Sequence, residues 1–209
     1  SDTTFVGTDK LTRLEYIDIQ GMHKLGSIDL SNSLNLKTLL AKNSGLTEVK
    51  LAPGCLIERL ELPTSTAAVV LEDLPLLTHN NLVVEGEWSN VRQIKISGCP
   101  NITNNFNLIW DWYNKTSNIE VRSVDIQGVN WEGVHIDQLI ELGQNTNILL
   151  KGSIKLTKID DKTKLLTLKE LYGENIFNTD SDLHIYGPDA VYVFGPEDRI
   201  VLEGDNYQF

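Results

Sequence analysis

The feature that most constrains this chain is a recurring apolar phrase, Leu-x-x-Leu-x-Leu. It occurs as Leu14/Ile17/Ile19, Leu25/Ile28/Leu30, Leu36/Leu39/Ala41, Leu46/Val49/Leu51 and Ile57/Leu60/Leu62. The central positions 17, 28, 39, 49 and 60 are separated by 11, 11, 10 and 11 residues. A fixed apolar period means that each unit buries its face only against copies of itself. The last two apolar positions of each phrase lie two apart, the period of a strand with one buried face. Turn formers punctuate the phrases at Gln20-Gly21, Ser31-Asn32-Ser33, Asn43-Ser44-Gly45, Pro53-Gly54 and Pro63-Thr64. The short spacers leave no room for a helical crossover.

The expected fold is therefore an α/β repeat. Its form is an irregular right-handed solenoid of parallel strands, with two phrases in each coil of 21 or 22 residues. Strand-only coils lie N-terminally and strand-helix coils C-terminally. Residues 67–74 and 82–86 read as strands with an incomplete triple, which returns in Val91/Ile94/Ile96. Beyond that point the unit lengthens, with strands at 119–126, centred on Val124, and at 147–151, centred on Leu149.

The added residues read as helices. Phe106, Ile109, Trp110 and Tyr113 fall at i, i+3, i+4 and i+7 behind the capping run Thr103-Asn104-Asn105. Ile136, Leu139 and Ile140 repeat the pattern before Gly143. Thr167-Leu168-Lys169-Glu170 has the form of a capping box, with Leu168, Leu171 and Tyr172 as the buried stripe and Gly173 as the stop. Near the C-terminus, Ile185-Tyr186-Gly187-Pro188-Asp189 is echoed by Phe194-Gly195-Pro196-Glu197, with strand-like segments at 190–194 and 199–203. The division expected is a solenoid over 1–187, then a cap or the lead-in to a further domain over 188–209.

Composition narrows the partners. In 209 residues, 29 acidic against 18 basic side chains give a net charge of −11. That surface repels phosphate backbones and anionic lipid, so neither nucleic acid nor membrane insertion is expected. No apolar run approaches the roughly 20 residues of a membrane span. Ser1 to Val6 lack the regions of a signal peptide, and the end at Tyr207 and Phe209 is abrupt, so the chain is expected to be part of a longer one. Cys55 and Cys99 read as buried free thiols in repeat turns, with a bridge as the alternative.

The phrases LTRLEYIDIQG, LKTLLAKNSGLTEVKLAPG and VRQIKISGCPNI resemble the irregular repeats of bacterial leucine-rich-repeat proteins, the BspA-like surface proteins. The resemblance covers roughly residues 11 to 152. The ending VFGPEDRIVLEGDNYQF is similar to the lead-in of a bacterial immunoglobulin-like domain. Such combinations occur in bacterial cell-surface proteins and in virion proteins of phages of gut bacteria. The resemblance implies adhesion, with a protein or carbohydrate partner on a cell or virion surface, and it supplies no catalytic residues.

Little in the chain points to chemistry. His23, His79, His135 and His184 are scattered, and His135-Ile136-Asp137 reads as a helix entry rather than a ligand pair. No phosphate loop, nucleophile elbow or dinucleotide fingerprint occurs. Asp160-Asp161, Asp180/Asp182 and Glu197-Asp198 lack calcium-loop spacing and read as solvated turns. No cofactor and no metal are expected, and the chain is read as not an enzyme. The rival enzyme reading is a polysaccharide-degrading carboxylate pair drawn from Asp18, Asp29, Glu48, Glu61 and Asp125.

The recognition reading rests on outward strand positions. On the side centred on 17, 39 and 60 these are Tyr16, Asp18, Gln20, Thr38, Leu40, Lys42, Arg59 and Glu61. Gln93, Lys95, Asp125 and Gln127 extend that side if the strands at 94 and 124 continue it. Trp88 and Trp131, in expected loops, are candidate aromatic contacts or packed anchors. The alternative to recognition is a structural spacer or assembly module of a larger surface or virion protein.

Overall fold

The computed structural model describes residues 3–102, 106–116, 123–157, 162–187, 191–194 and 200–203. It is a mixed α/β structure dominated by parallel strands. The first strands are β1 (Thr3–Thr4), β2 (Tyr16–Asp18), β3 (Leu25–Leu30), β4 (Thr38–Leu40), β5 (Glu48–Leu51), β6 (Arg59–Leu62), β7 (Ala68–Glu72) and β8 (Leu82–Val84). β9 (Gln93–Ser97) is followed by α1 (Phe106–Lys115), β10 (Ser123–Val134), α2 (Ile136–Asn145), β11 (Asn147–Leu156), α3 (Lys162–Tyr172) and β12 (Leu183–Tyr186). β13 (Val191–Phe194) and β14 (Ile200–Glu203) pair antiparallel.

Strands alternate between sheets. One sheet has the order β2-β4-β6-β8, another β1-β3-β5, and a five-stranded sheet runs β12-β11-β10-β9-β7. In the four-stranded sheet the inward row is Ile17–Leu39–Leu60–Leu82. Its counterparts are Ile28–Val49 in the three-stranded sheet and Val69–Ile94–Val124–Ile148 in the five-stranded one. Side chains of all these rows meet in one hydrophobic core. The 11-residue phrase works because alternate copies deliver their central residue to opposite sheets. Leu39, Leu60 and Ile94 are buried to 1% exposure or less, and each lies between aliphatic neighbours on adjacent strands.

Close stacking also shapes the turns. A Cβ on Gly45 would stand 2.1 Å from the His23 carbonyl oxygen of the preceding turn, so only glycine fits there. The Gly45 amide donates to Met22 O at 3.1 Å, holding the two turns in contact.

The helices take up the C-terminal half, and the structure corrects the sequence reading there. In α1 the deepest residues are Phe106, Ile109, Trp112 and Tyr113; Trp112 is buried and Trp110 only half-buried. Trp112 donates from its indole to Val91 O at 2.7 Å, a tether that hydrophobic periodicity does not encode. In α2, Leu142 replaces Ile140 on the buried side. The helix α3 begins five residues before Thr167, so that threonine is no cap; its hydroxyl donates to Thr163 O at 3.2 Å within the helix. The run Thr103-Asn104-Asn105 and residues 119–122 lie outside the described residues.

β10 and β11 are 12 and 10 residues long, well beyond the expected segments. Their length lets β9 pair the first half of β10 while β12 pairs the second half of β11. Leu149 is not a buried centre. It is 51% exposed, and its neighbours Ile148 and Leu150 face inward, so the register is one residue from that expected.

Truncation of Leu39 tests the shared inward row. We expect Leu39→Ala to cost about 2–5 kcal/mol, because rigid neighbours on β2 and β6 leave the cavity unfilled. Urea unfolding measures this; an unchanged midpoint would be incompatible with Leu39 lying at the centre of the row.

Candidate functional site

The sheet faces carry the candidate residues, and the structure divides them into two groups. Tyr16, Asp18, Gln20, Thr38, Lys42, Arg59 and Glu61 belong to or flank the four-stranded sheet. There Tyr16–Thr38–Arg59 and Asp18–Leu40–Glu61–Val83 form outward rows. Gln93, Lys95, Asp125 and Gln127 do not continue them. β9 and β10 join β7 in the five-stranded sheet, because the chain between β8 and β9 crosses back to the other side of the core.

On the four-stranded face the polar groups satisfy one another. Gln20 donates its backbone and side-chain N–H groups to the Asp18 carboxylate at 3.0 and 3.3 Å. Glu61 sits between Leu40 and Val83 and is only 7% exposed. Its carboxylate accepts Arg59 Nε at 2.6 Å and faces Lys42 Nζ at 3.3 Å. Arg59 also donates to Asn81 Oδ1 at 3.4 Å. Burial pushes the Glu61 carboxyl pKa up, but the hydrogen bonds and charges of Arg59 and Lys42 outweigh it, and the net shift is downward. A carboxylate held ionised by two cations does not serve as a general acid at neutral pH.

The carboxylates of the enzyme reading are spread over three sheets. Asp18 and Glu61 share a row two strands apart, Asp29 and Glu48 lie on β3 and β5, and Asp125 lies on β10. Asp29 is spoken for locally: hydrogen bonds from Ser31 lower its pKa, and Lys50 adds to the effect.

The five-stranded face carries three outward rows. They are Ala68–Gln93–Ser123–Asn147, Val70–Lys95–Asp125–Leu149 and Glu72–Ser97–Gln127–Lys151. Lys95 Nζ meets Glu72 at 2.8 Å and lies within the field of Asp125; the Glu72 hydrogen bond is the main reason its pKa is raised. Gln127 donates to Asp125 Oδ1 at 3.0 Å. A polar chain therefore runs from β7 across β9 to β10.

Beside it lies a feature that the sequence reading missed. β5 and β7 are neighbours, but no ladder joins them, and they belong to different sheets. The seam is closed at one end, where Ala67 N and Ala68 N both donate to Thr47 O at 2.8 and 3.3 Å. It is closed again at the other, where Gly54 N donates to Asp73 O at 2.8 Å. Between these pins opens a slit of about 350 Å³, lined by Glu48, Val49, Lys50, Leu51, Val70 and Glu72, with Ser31 at one end. Val49 and Leu51, core members in the sequence reading, are only half-buried as a result.

The two tryptophans are not free contacts. Trp131 lies in β10, not in a loop, is 1% exposed, and packs against Phe106 with ring centroids 5.9 Å apart. It falls on an inward row opposite Ile154, so strand alternation turns it into the core. Trp88 sits in a turn with positive φ at Glu87 and Trp88, half-buried against the core. Cys55 and Cys99 are free and buried, and burial raises both thiol pKa values. His135 opens α2: its Nδ1 accepts the Asp137 amide at 3.4 Å, and Gln138 Oε1 accepts the His135 amide at 3.0 Å. Among the described residues no group of three His, Cys, Asp or Glu side chains is placed to hold a metal, and no helix is long and apolar enough to cross a membrane.

Comparison with known proteins returned no match to any protein-family model, curated protein or solved structure.

Glu61 has a pH signature. Its folded pKa is depressed, so its stabilisation is present above the ordinary glutamate value of about 4.3 and is lost as pH falls through the lower folded value. We expect Glu61→Gln to destabilise the protein at pH 7 and to differ little from the parent near pH 2. Urea midpoints of both proteins at the two pH values measure the difference; a gap that stayed constant would exclude ionisation of Glu61 as its source.

Proposed function

We propose that the chain is a non-catalytic recognition module built as an irregular leucine-rich-repeat-like right-handed solenoid. In this reading it belongs to a cell-surface or virion-surface protein and binds protein or carbohydrate. The alternation of strands between two sides and the passage from strand to helix in the later units support the solenoid description. The observation that carries the function is the outer surface formed by β5, β7, β9 and β10. There an open apolar slit adjoins the polar chain Glu72–Lys95–Asp125–Gln127. A sheet face with an exposed apolar centre and a polar rim has the make-up of a binding patch.

The spacer reading has its own support. Trp112 and Trp131 are buried, and the Lys42–Arg59–Glu61 cluster is satisfied internally, as expected of a face that contacts nothing. Arrays of bacterial and host glycans and surface proteins separate the two readings. We expect a ligand whose binding falls at least tenfold in Glu72→Lys, a charge reversal on the candidate face. Binding that survives this change moves the site elsewhere, and the absence of any ligand on both arrays favours the spacer.

A further inference from the structure

We infer that the slit between β5 and β7 binds an extended peptide segment of a partner protein. It seats one aliphatic or aromatic side chain that has a lysine or arginine beside it. This deepens the recognition reading and rests on it, choosing protein over carbohydrate. Four observations converge on that ligand.

The size comes first. At about 350 Å³ the slit lies at the low end of ligand pockets, so it takes one side chain rather than a chain of sugar rings. Its chemistry comes next. The apolar surface is Val49, Leu51 and Val70, and none of the lining residues is aromatic, so a sugar ring finds no flat partner to stack on.

The backbone supplies a third reason. Between the pins at Thr47 and Gly54, no ladder connects β5 to β7, so the facing edges of these two strands are not joined as a sheet. Backbone donors and acceptors need partners, and an extended peptide offers both along its length. The fourth reason is charge. Of the lining residues, Glu48 and Glu72 are acidic and Lys50 is basic; Asp29 stands beside Lys50 on β3 and Lys95 beside Glu72 on β9, in a chain of net charge −11. Both lysines already face carboxylates, Lys95 at 2.8 Å from Glu72 and Lys50 in the field of Asp29. The excess is negative, and it favours basic residues flanking the apolar side chain.

Amide chemical shifts of the isotope-labelled protein test this directly. The probe is the blocked pentapeptide Gly-Lys-Leu-Lys-Gly; comparison probes are Gly-Glu-Leu-Glu-Gly, Gly-Lys-Ser-Lys-Gly and chitohexaose. We expect the first peptide to shift amides of 48–52 and 68–72 saturably, with the acidic-flanked and serine peptides each about tenfold weaker. Val70→Trp, an outward position, fills the slit from its rim and should abolish the shifts, with the remaining spectrum unchanged. Glu48→Lys, at an exposed site, should weaken the basic peptide about threefold.

The inference falls if the basic leucine peptide gives no saturable shifts at millimolar concentration, or if the serine peptide matches it. It falls equally if Val70→Trp folds and still binds the peptide. Chitohexaose shifting these amides while the peptides do not would overturn the choice of peptide and leave the recognition reading standing. Loss of the recognition reading itself shows as the absence of any ligand on the arrays.

Discussion

The structure depends on the inward rows of aliphatic side chains that run across adjacent parallel strands. Ile17, Leu39, Leu60 and Leu82 form one such row, and Val69, Ile94, Val124 and Ile148 form another. A strand of three or four residues cannot bury enough apolar surface to offset the entropy of ordering it. In the four-stranded sheet β4 and β6 each contribute one residue to a continuous wall and are held by ladders on both edges. Stability is therefore shared along these rows of buried side chains. The Gly45 contact with the His23 carbonyl shows how tightly the stack is drawn together.

That stacking also explains how helices enter the fold without a break in the five-stranded sheet. There β7, β9, β10 and β11 keep one register from Ala68 to Asn147, while the chain between β9 and β10 carries the helix α1. The helices meet the core through large anchors: Trp112 tied to Val91 O, and Tyr172 tied to Leu139 O at 2.5 Å. Desolvation raises the Tyr172 pKa, so its hydroxyl stays a donor across the physiological range. Aromatic rings fill the larger space that a helix leaves against a sheet, which is why Trp131 faces inward toward Phe106.

The outer faces divide between closure and availability. Around Glu61 the charges are paired at short range and partly shielded by Leu40 and Val83, so the group is costly to disturb and has little left to offer a ligand. Along β5, β7 and β9 the charges lie at the edge of an open apolar seam, where a ligand gains area without first breaking a satisfied network. The proposed recognition site follows from this contrast. Its two cations, Lys50 and Lys95, sit on opposite sides of the slit, on β5 and β9.

By itself the sequence determined that short strands would alternate with tight turns, which residues of each phrase would face inward, and where helices would begin to appear. Those properties follow from local periodicity and turn chemistry, and Leu39, Leu60 and Ile94 lie as the period requires. Only the tertiary structure decided which strands are neighbours. The strands at 94 and 124 join β7 and not β6, because the route of the chain between β8 and β9 is a long-range matter that no repeat length records. The same holds for Trp131, drawn inward by a strand longer than its signal, and for Glu61, buried by residues 21 and 22 positions away. The slit between β5 and β7 is the extreme case. Val49 and Leu51 carry a complete apolar phrase, and only the missing ladder to the next strand exposes them, since exposure belongs to the pair of strands and not to either sequence.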